Sequence, residues 1–66
     1  MVSFCVKIRG KHIDSDALWK RVGRDNINLL DIEHSLWVHG TVSKEEFLNV
    51  VDECLEFGPL SIEVRG

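Results

Sequence analysis

The chain has 66 residues, 44% of them apolar and 29% charged, with 8 basic and 11 acidic side chains giving a net charge of -3. A domain of this length hides only about 60% of the surface its unfolded chain exposes, and the mix of apolar and charged residues excludes intrinsic disorder. Every apolar run is far shorter than the ~18 residues of a bilayer span, and Met1 leads directly into a strand-like segment with no basic stretch and long apolar core. No membrane span and no signal peptide are expected, and the expected compartment is the cytoplasm.

The first segment alternates Val2, Phe4, Val6 and Ile8 with Ser3, Cys5, Lys7 and Arg9, the period of a half-buried strand that Gly10 ends. Ile13 and Leu18 bracket Asp14 as the two halves of a hydrophobic staple around a capping residue, so a short helix starts there and ends between Gly23 and Asn26. Leu18 and Val22 fall one turn apart on its apolar side.

From Ile27 to Val42 the pattern becomes strand-like again and reads as a hairpin. Placing Leu30, Ile32, Leu36 and Val38 on one face requires a loop of odd length, Glu33, His34 and Ser35, which is preferred over a two-residue His34–Ser35 turn because it buries more branched aliphatics. Ser43 and Glu46 then form a Ser-x-x-Glu capping box with Val42 and Phe47 as its staple. Phe47, Leu48, Val51, Cys54 and Leu55 make a helical apolar stripe that Val50 and Phe57 widen and Gly58–Pro59 ends. Leu60, Ile62 and Val64 alternate with Ser61, Glu63 and Arg65 as a last strand.

This order predicts an α+β fold, a ferredoxin-like βαββαβ sandwich of residues 1–66 as one domain, with a four-stranded antiparallel sheet and both helices on one face. Right-handed crossovers put the first and third strands in the centre and leave the other face open. With Phe4, Val6, Ile8, Leu30, Ile32, Val38, Val42, Leu60, Ile62 and Val64 toward the helices, the open face carries an expected interaction surface of Cys5, Lys7, Arg9, Leu29, Trp37, His39 and Arg65. Asp31, Glu33, Thr41 and Glu63 share that face. Leu29 and Trp37 would sit beside Cys5 as an exposed apolar patch of the kind that marks contact surfaces. Lys20, Arg21 and Arg24 give the first helix a basic face, and Glu45, Asp52 and Glu56 give the second an acidic one, with weak cross-helix ion pairs expected between them.

Other chemistry has less support in the residues. Trp37 on a central strand with Lys7 and Arg9 nearby suits single-stranded RNA, but Leu36-Trp37-Val38-His39-Gly40 lacks the aromatic RNA-binding signature, and the net charge is acidic. His12, His34, His39, Cys5 and Cys54 include no pair at metal-ligand spacing, so no metal and no cofactor are expected. Cys5 and Cys54 lack the spacing of a secreted disulfide scaffold and are expected as free thiols, Cys54 in the core. Cys5 with His39 is the one thiol–base pairing, without an orienting third residue, and no catalytic residue is assigned. The basic loop Arg9-Gly10-Lys11-His12 after a strand resembles the phosphate loop of acylphosphatases. The Val-Gln-Gly-Val-x-Phe-Arg run bearing their catalytic arginine is absent, so no role is carried over. The expected function is a non-enzymatic protein-interaction or self-assembly module, a homodimer or a partner of another protein. RNA binding is the first alternative, and an acylphosphatase-like or thiol-dependent enzyme the second.

Overall fold

Strict alternation shapes the first strand. In the computed structural model, which describes residues 1–10, 13–32 and 34–65, β1 (Val2–Arg9) buries Phe4, Val6 and Ile8 on one side and leaves Cys5 and Lys7 half-buried on the other. β1 is antiparallel to both of its neighbours, β3 (Ser35–Val42) and β4 (Leu60–Arg65). β2 (Ile27–Ile32) completes the sheet on the far side of β3, giving an α+β fold with strand order β2-β3-β1-β4. The first and third strands are central, as expected.

Both helices begin at the expected caps. Asp14 accepts a hydrogen bond from the Ala17 backbone N–H at 3.1 Å and starts α1 (Ser15–Val22), whose Leu18 and Val22 are fully buried. α1 ends at Val22, so Arg24, expected on its basic face, lies in the turn that follows. Ser43 accepts from the Glu46 N–H at 3.2 Å and starts α2 (Lys44–Leu55), whose Val50 and Cys54 are fully buried. Each cap satisfies an N–H that has no partner within its helix, an interaction worth about 1 kcal/mol. The buried residues of both helices join Phe4, Val6, Ile8, Ile27, Leu36, Val38 and Val42 in one core cluster. Phe47 packs its ring on Phe4 with centroids 5.3 Å apart. Burying such side chains contributes roughly 1.5–3 kcal/mol each, the main favourable term for so short a chain.

The hairpin differs from the expected register. Ile32 pairs with Ser35, Leu30 with Trp37 and Leu29 with Val38, so the connection holds two residues instead of three. Glu33, on which the expected loop partly rests, lies outside the described residues. Leu29 therefore points to the helix side and packs against the core, while Leu30 and Ile32 lie on the open face, half-exposed. The reason is that β2 has a second apolar alternation, Ile27 and Leu29, and Ile27 seals the core at 1% exposure. Because β2 is an edge strand, exposing Leu30 and Ile32 is offset by burying Ile27 and by a shorter loop. Ser35 reinforces the turn by donating its hydroxyl to the Ile32 carbonyl at 3.2 Å.

The helices also cover less of β4 than its alternation implied. α2 packs on β1 and α1, and α1 packs on β2. Ile62 and Val64 on the helix side of β4, and Leu48 and Leu55 on α2, are about half exposed instead of buried. The apolar stripe of α2 thus extends past the surface that its neighbours cover.

Two glycines mark close approaches. At Gly58, φ is +153°, and a Cβ there would come within 2.9 Å of the Arg9 carbonyl oxygen where the chain enters β4. A Cβ at Gly40 would collide with the Asn26 carbonyl, which accepts from the Thr41 N–H at 3.3 Å. Gly40→Ala is expected to lower stability by roughly 2 kcal/mol or more, because the obstruction is backbone. Urea unfolding checks this, and a wild-type midpoint would contradict it.

Burial, and secondarily the charge of Glu53, pushes the Cys54 thiol from 9.0 up to about 11. Unfolded chains lose this proton first, so stability falls as pH rises from about 9 and the loss is complete near 11, on the order of 2 kcal/mol. Denaturant midpoints measured across that window should fall more steeply for the wild type than for Cys54→Ala.

Candidate interaction surface

The odd-numbered residues of β1 point away from the helices, and the antiparallel registers line them up with their neighbours in rows across the sheet. One row runs Leu30, Trp37, Lys7 and Ser61, and the next runs Asn28, His39, Cys5 and Glu63. Ile32, Ser35 and Arg9 lie beyond the first row, and Thr41, Ser3 and Arg65 beyond the second. Apolar side chains thus gather at the β2–β3 corner, and charged ones at the β1–β4 side.

Trp37 is the centre of the apolar corner. The Lys7 ammonium lies 4.9 Å from the centroid of its ring, a contact worth about 0.5–1 kcal/mol at such a partly open site. Its indole N–H is buried and finds no acceptor among the described residues, a deficit of roughly 1–3 kcal/mol. Leu30, directly opposite on β2, and Ile32 beside it extend the apolar surface toward the sheet edge.

Of the residues expected on this face, Cys5, Lys7, Arg9, Trp37, His39 and Arg65 lie there and Leu29 does not. Leu30 and Ile32 take its place. The clue to them is Ile27, which extends the Leu29 alternation back to the turn after α1 and can be buried only if Leu30 faces outward.

Two of the cations of this face already have partners, Arg65 lying 3.6 Å from Glu63 and Lys7 over the Trp37 ring. On the helices, Arg21 pairs with Glu53 at 2.6 Å and also with Glu56, whereas the expected acidic face was Glu45, Asp52 and Glu56. These pairs are exposed, so each contributes at most about 1 kcal/mol. Lys20 and Arg24 are exposed and have no ion pair among the described residues.

Cys5 does lie opposite His39, with Glu63 on its other side. Burial raises the pKa of its thiol, Glu63 raises it further and Arg65 opposes them. The group is therefore kept as the thiol, whereas a nucleophile or metal ligand needs the thiolate. Among the described residues, no group of three or more His, Cys, Asp and Glu side chains is placed to hold a metal ion. Lys11 and His12 of the basic loop lie outside the described residues. No described helix is long and apolar enough to cross a membrane.

In comparisons by sequence and by fold, no protein-family model, curated protein or solved structure matched the chain.

Cys5 is expected to react with iodoacetamide at neutral pH more slowly than a cysteine in an unstructured peptide, with a rate still rising above pH 9.0. Alkylation followed by mass spectrometry measures this. A rate equal to or above that of the peptide would show an activated thiol.

Proposed function

We propose that this chain is a non-enzymatic protein-interaction module, a single ferredoxin-like βαββαβ domain that docks a partner protein on its open sheet face. The observation that carries this reading is the apolar corner of Leu30, Ile32 and Trp37 on a face that no described element covers. A contiguous apolar surface of this kind is costly to leave in water and is characteristic of contact surfaces. Surrounding polar groups, among them Lys7, Asn28, Ser35 and His39, supply the hydrophilic rim that such interfaces have.

Strand order supports the scaffold assignment. The order β2-β3-β1-β4 around two central strands, with a helix after the first strand and another after the third, is what two crossovers of the split βαβ type produce. Base stacking, the basis of the RNA reading, requires a free aromatic ring, and here Lys7 lies over the Trp37 ring.

The test compares capture of a partner from native lysate by wild-type protein and by Leu30→Lys and Trp37→Ala, with folding confirmed by circular dichroism. We expect one captured protein to fall at least about tenfold with both variants, the loss of more than 1.4 kcal/mol of binding that removing a central contact produces. Equal capture by all three chains would refute the assignment. Tight, salt-dependent binding of a short single-stranded oligonucleotide would replace it with RNA recognition.

A further inference from the structure

The outer edge of β4 combines two features that the open face does not explain. The first is its backbone. Arg9 donates its N–H to the Pro59 carbonyl at 3.2 Å, so the bonded pairs of the β1–β4 ladder are Arg9 with Pro59, Lys7 with Ser61 and Cys5 with Glu63. The N–H and C=O groups of Leu60, Ile62 and Val64 therefore point outward from the sheet. Natural edge strands are blunted by lysine, proline, a bulge or a charge on the covered side. In β4, Pro59 stands only at the entry and Glu63 and Arg65 lie on the open side, while the register with β1 is unbroken and the helix side, Leu60, Ile62 and Val64, carries no charge. The opposite edge is different, because β2 carries Asp31 on its helix side, opposite Leu36.

The second feature is an apolar shelf above that edge. On α2, Glu53 and Glu56 mark the flank that faces α1 through Arg21. At about 100° per residue, Leu48, Val51 and Leu55 fall on the opposite flank of α2, which rests on β1, and so on the side away from α1 and toward β4. Ile62 and Val64 form the floor, Leu48 and Leu55 the wall, and all four are about half exposed.

We infer that β4 is a homodimer edge, with a second copy of this chain adding its own β4 antiparallel to the first and continuing the sheet across a twofold axis. The strand can pair with itself over its whole length. Centred on Ile62, it sets Leu60 against Val64 of the second copy on the helix side and Ser61 against Glu63 of the second copy on the open side. No like charges stand directly opposite each other, and every outward backbone group from Leu60 to Val64 gains a partner. A register centred on Glu63 would instead place two carboxylates directly opposite each other, which is unfavourable. In the favoured register the two α2 flanks face each other across the axis, and their leucines cover the joined β4 floor. Asp52, exposed beside them, lies at the rim. The interface uses none of the Leu30, Ile32 and Trp37 corner, and it places two such corners on one continuous sheet.

Solution mass by light scattering, together with backbone hydrogen exchange, tests this. The wild type should have twice the chain mass at up to about 1 mM, and the amides of Leu60, Ile62 and Val64 should be protected only as the dimer forms. Ile62→Pro removes an outward N–H and leaves the β1 ladder intact, so it should halve the mass while the circular dichroism signal is kept. Leu55→Lys, on a surface position that cannot disrupt the ladder, should do the same. Leu30→Lys should leave the dimer unchanged. A monomer throughout the concentration range, free exchange of those three amides in a dimer, a dimer that survives Leu55→Lys, or one that Leu30→Lys breaks would each overturn the inference. So would protection of these amides only on adding a foreign peptide strand.

Discussion

Phe4, Val6 and Ile8 face Gly40, Val38 and Leu36 across one ladder of β1 and Val64, Ile62 and Leu60 across the other. Because side chains alternate with a period of two, this double pairing assigns every residue of three strands to a face at once. A slip of one residue in either ladder would carry Val6 and Ile8, both fully buried, into water. The rest of the molecule is arranged around that constraint. The helices meet the face that β1 makes apolar, and Cys5, Lys7 and Arg9 belong to the opposite face because their neighbours are buried.

β2 is less constrained, since it touches only one strand and can choose between two apolar alternations. The pair Ile27 and Leu29 is buried over the pair Leu30 and Ile32, and this choice creates the open apolar corner. Gly40 contributes to it by letting the Asn26 backbone come close, so that Ile27 fits against the core. The same choice places Leu30 opposite Trp37. A surface with a functional reading is thus the by-product of how the core closes at the other end of the strand.

With only two short helices, the covering layer is narrower than the sheet. α1 serves the β2 side and α2 serves β1, and β4 is left with its helix side half-covered. A chain of this size has little apolar surface to spare, so leaving Leu48, Leu55, Ile62 and Val64 in water costs a meaningful part of its marginal stability. An edge dimer would recover that cost and is compatible with a partner protein on the open face.

The sequence by itself determined the elements. Alternation in β1, the Asp14 and Ser43 caps and the Leu18–Val22 spacing are local signals, and each is read from residues within a few positions of one another, whereas α2 ends at Leu55, ahead of the expected Gly58–Pro59 stop. Six of the seven expected open-face residues follow from that alternation, because once β1 pairs with β3 and β4, Cys5, Lys7, Arg9, Trp37, His39 and Arg65 have no other side to occupy. Only the tertiary structure decided the side taken by Leu29, Leu30 and Ile32, and the exposure of Ile62, Val64, Leu48 and Leu55. The first depends on which of two equally apolar patterns meets the helices, and the second on where two helices rest across four strands. Neither is a property of any short stretch of chain, since both are set by packing between elements distant in sequence.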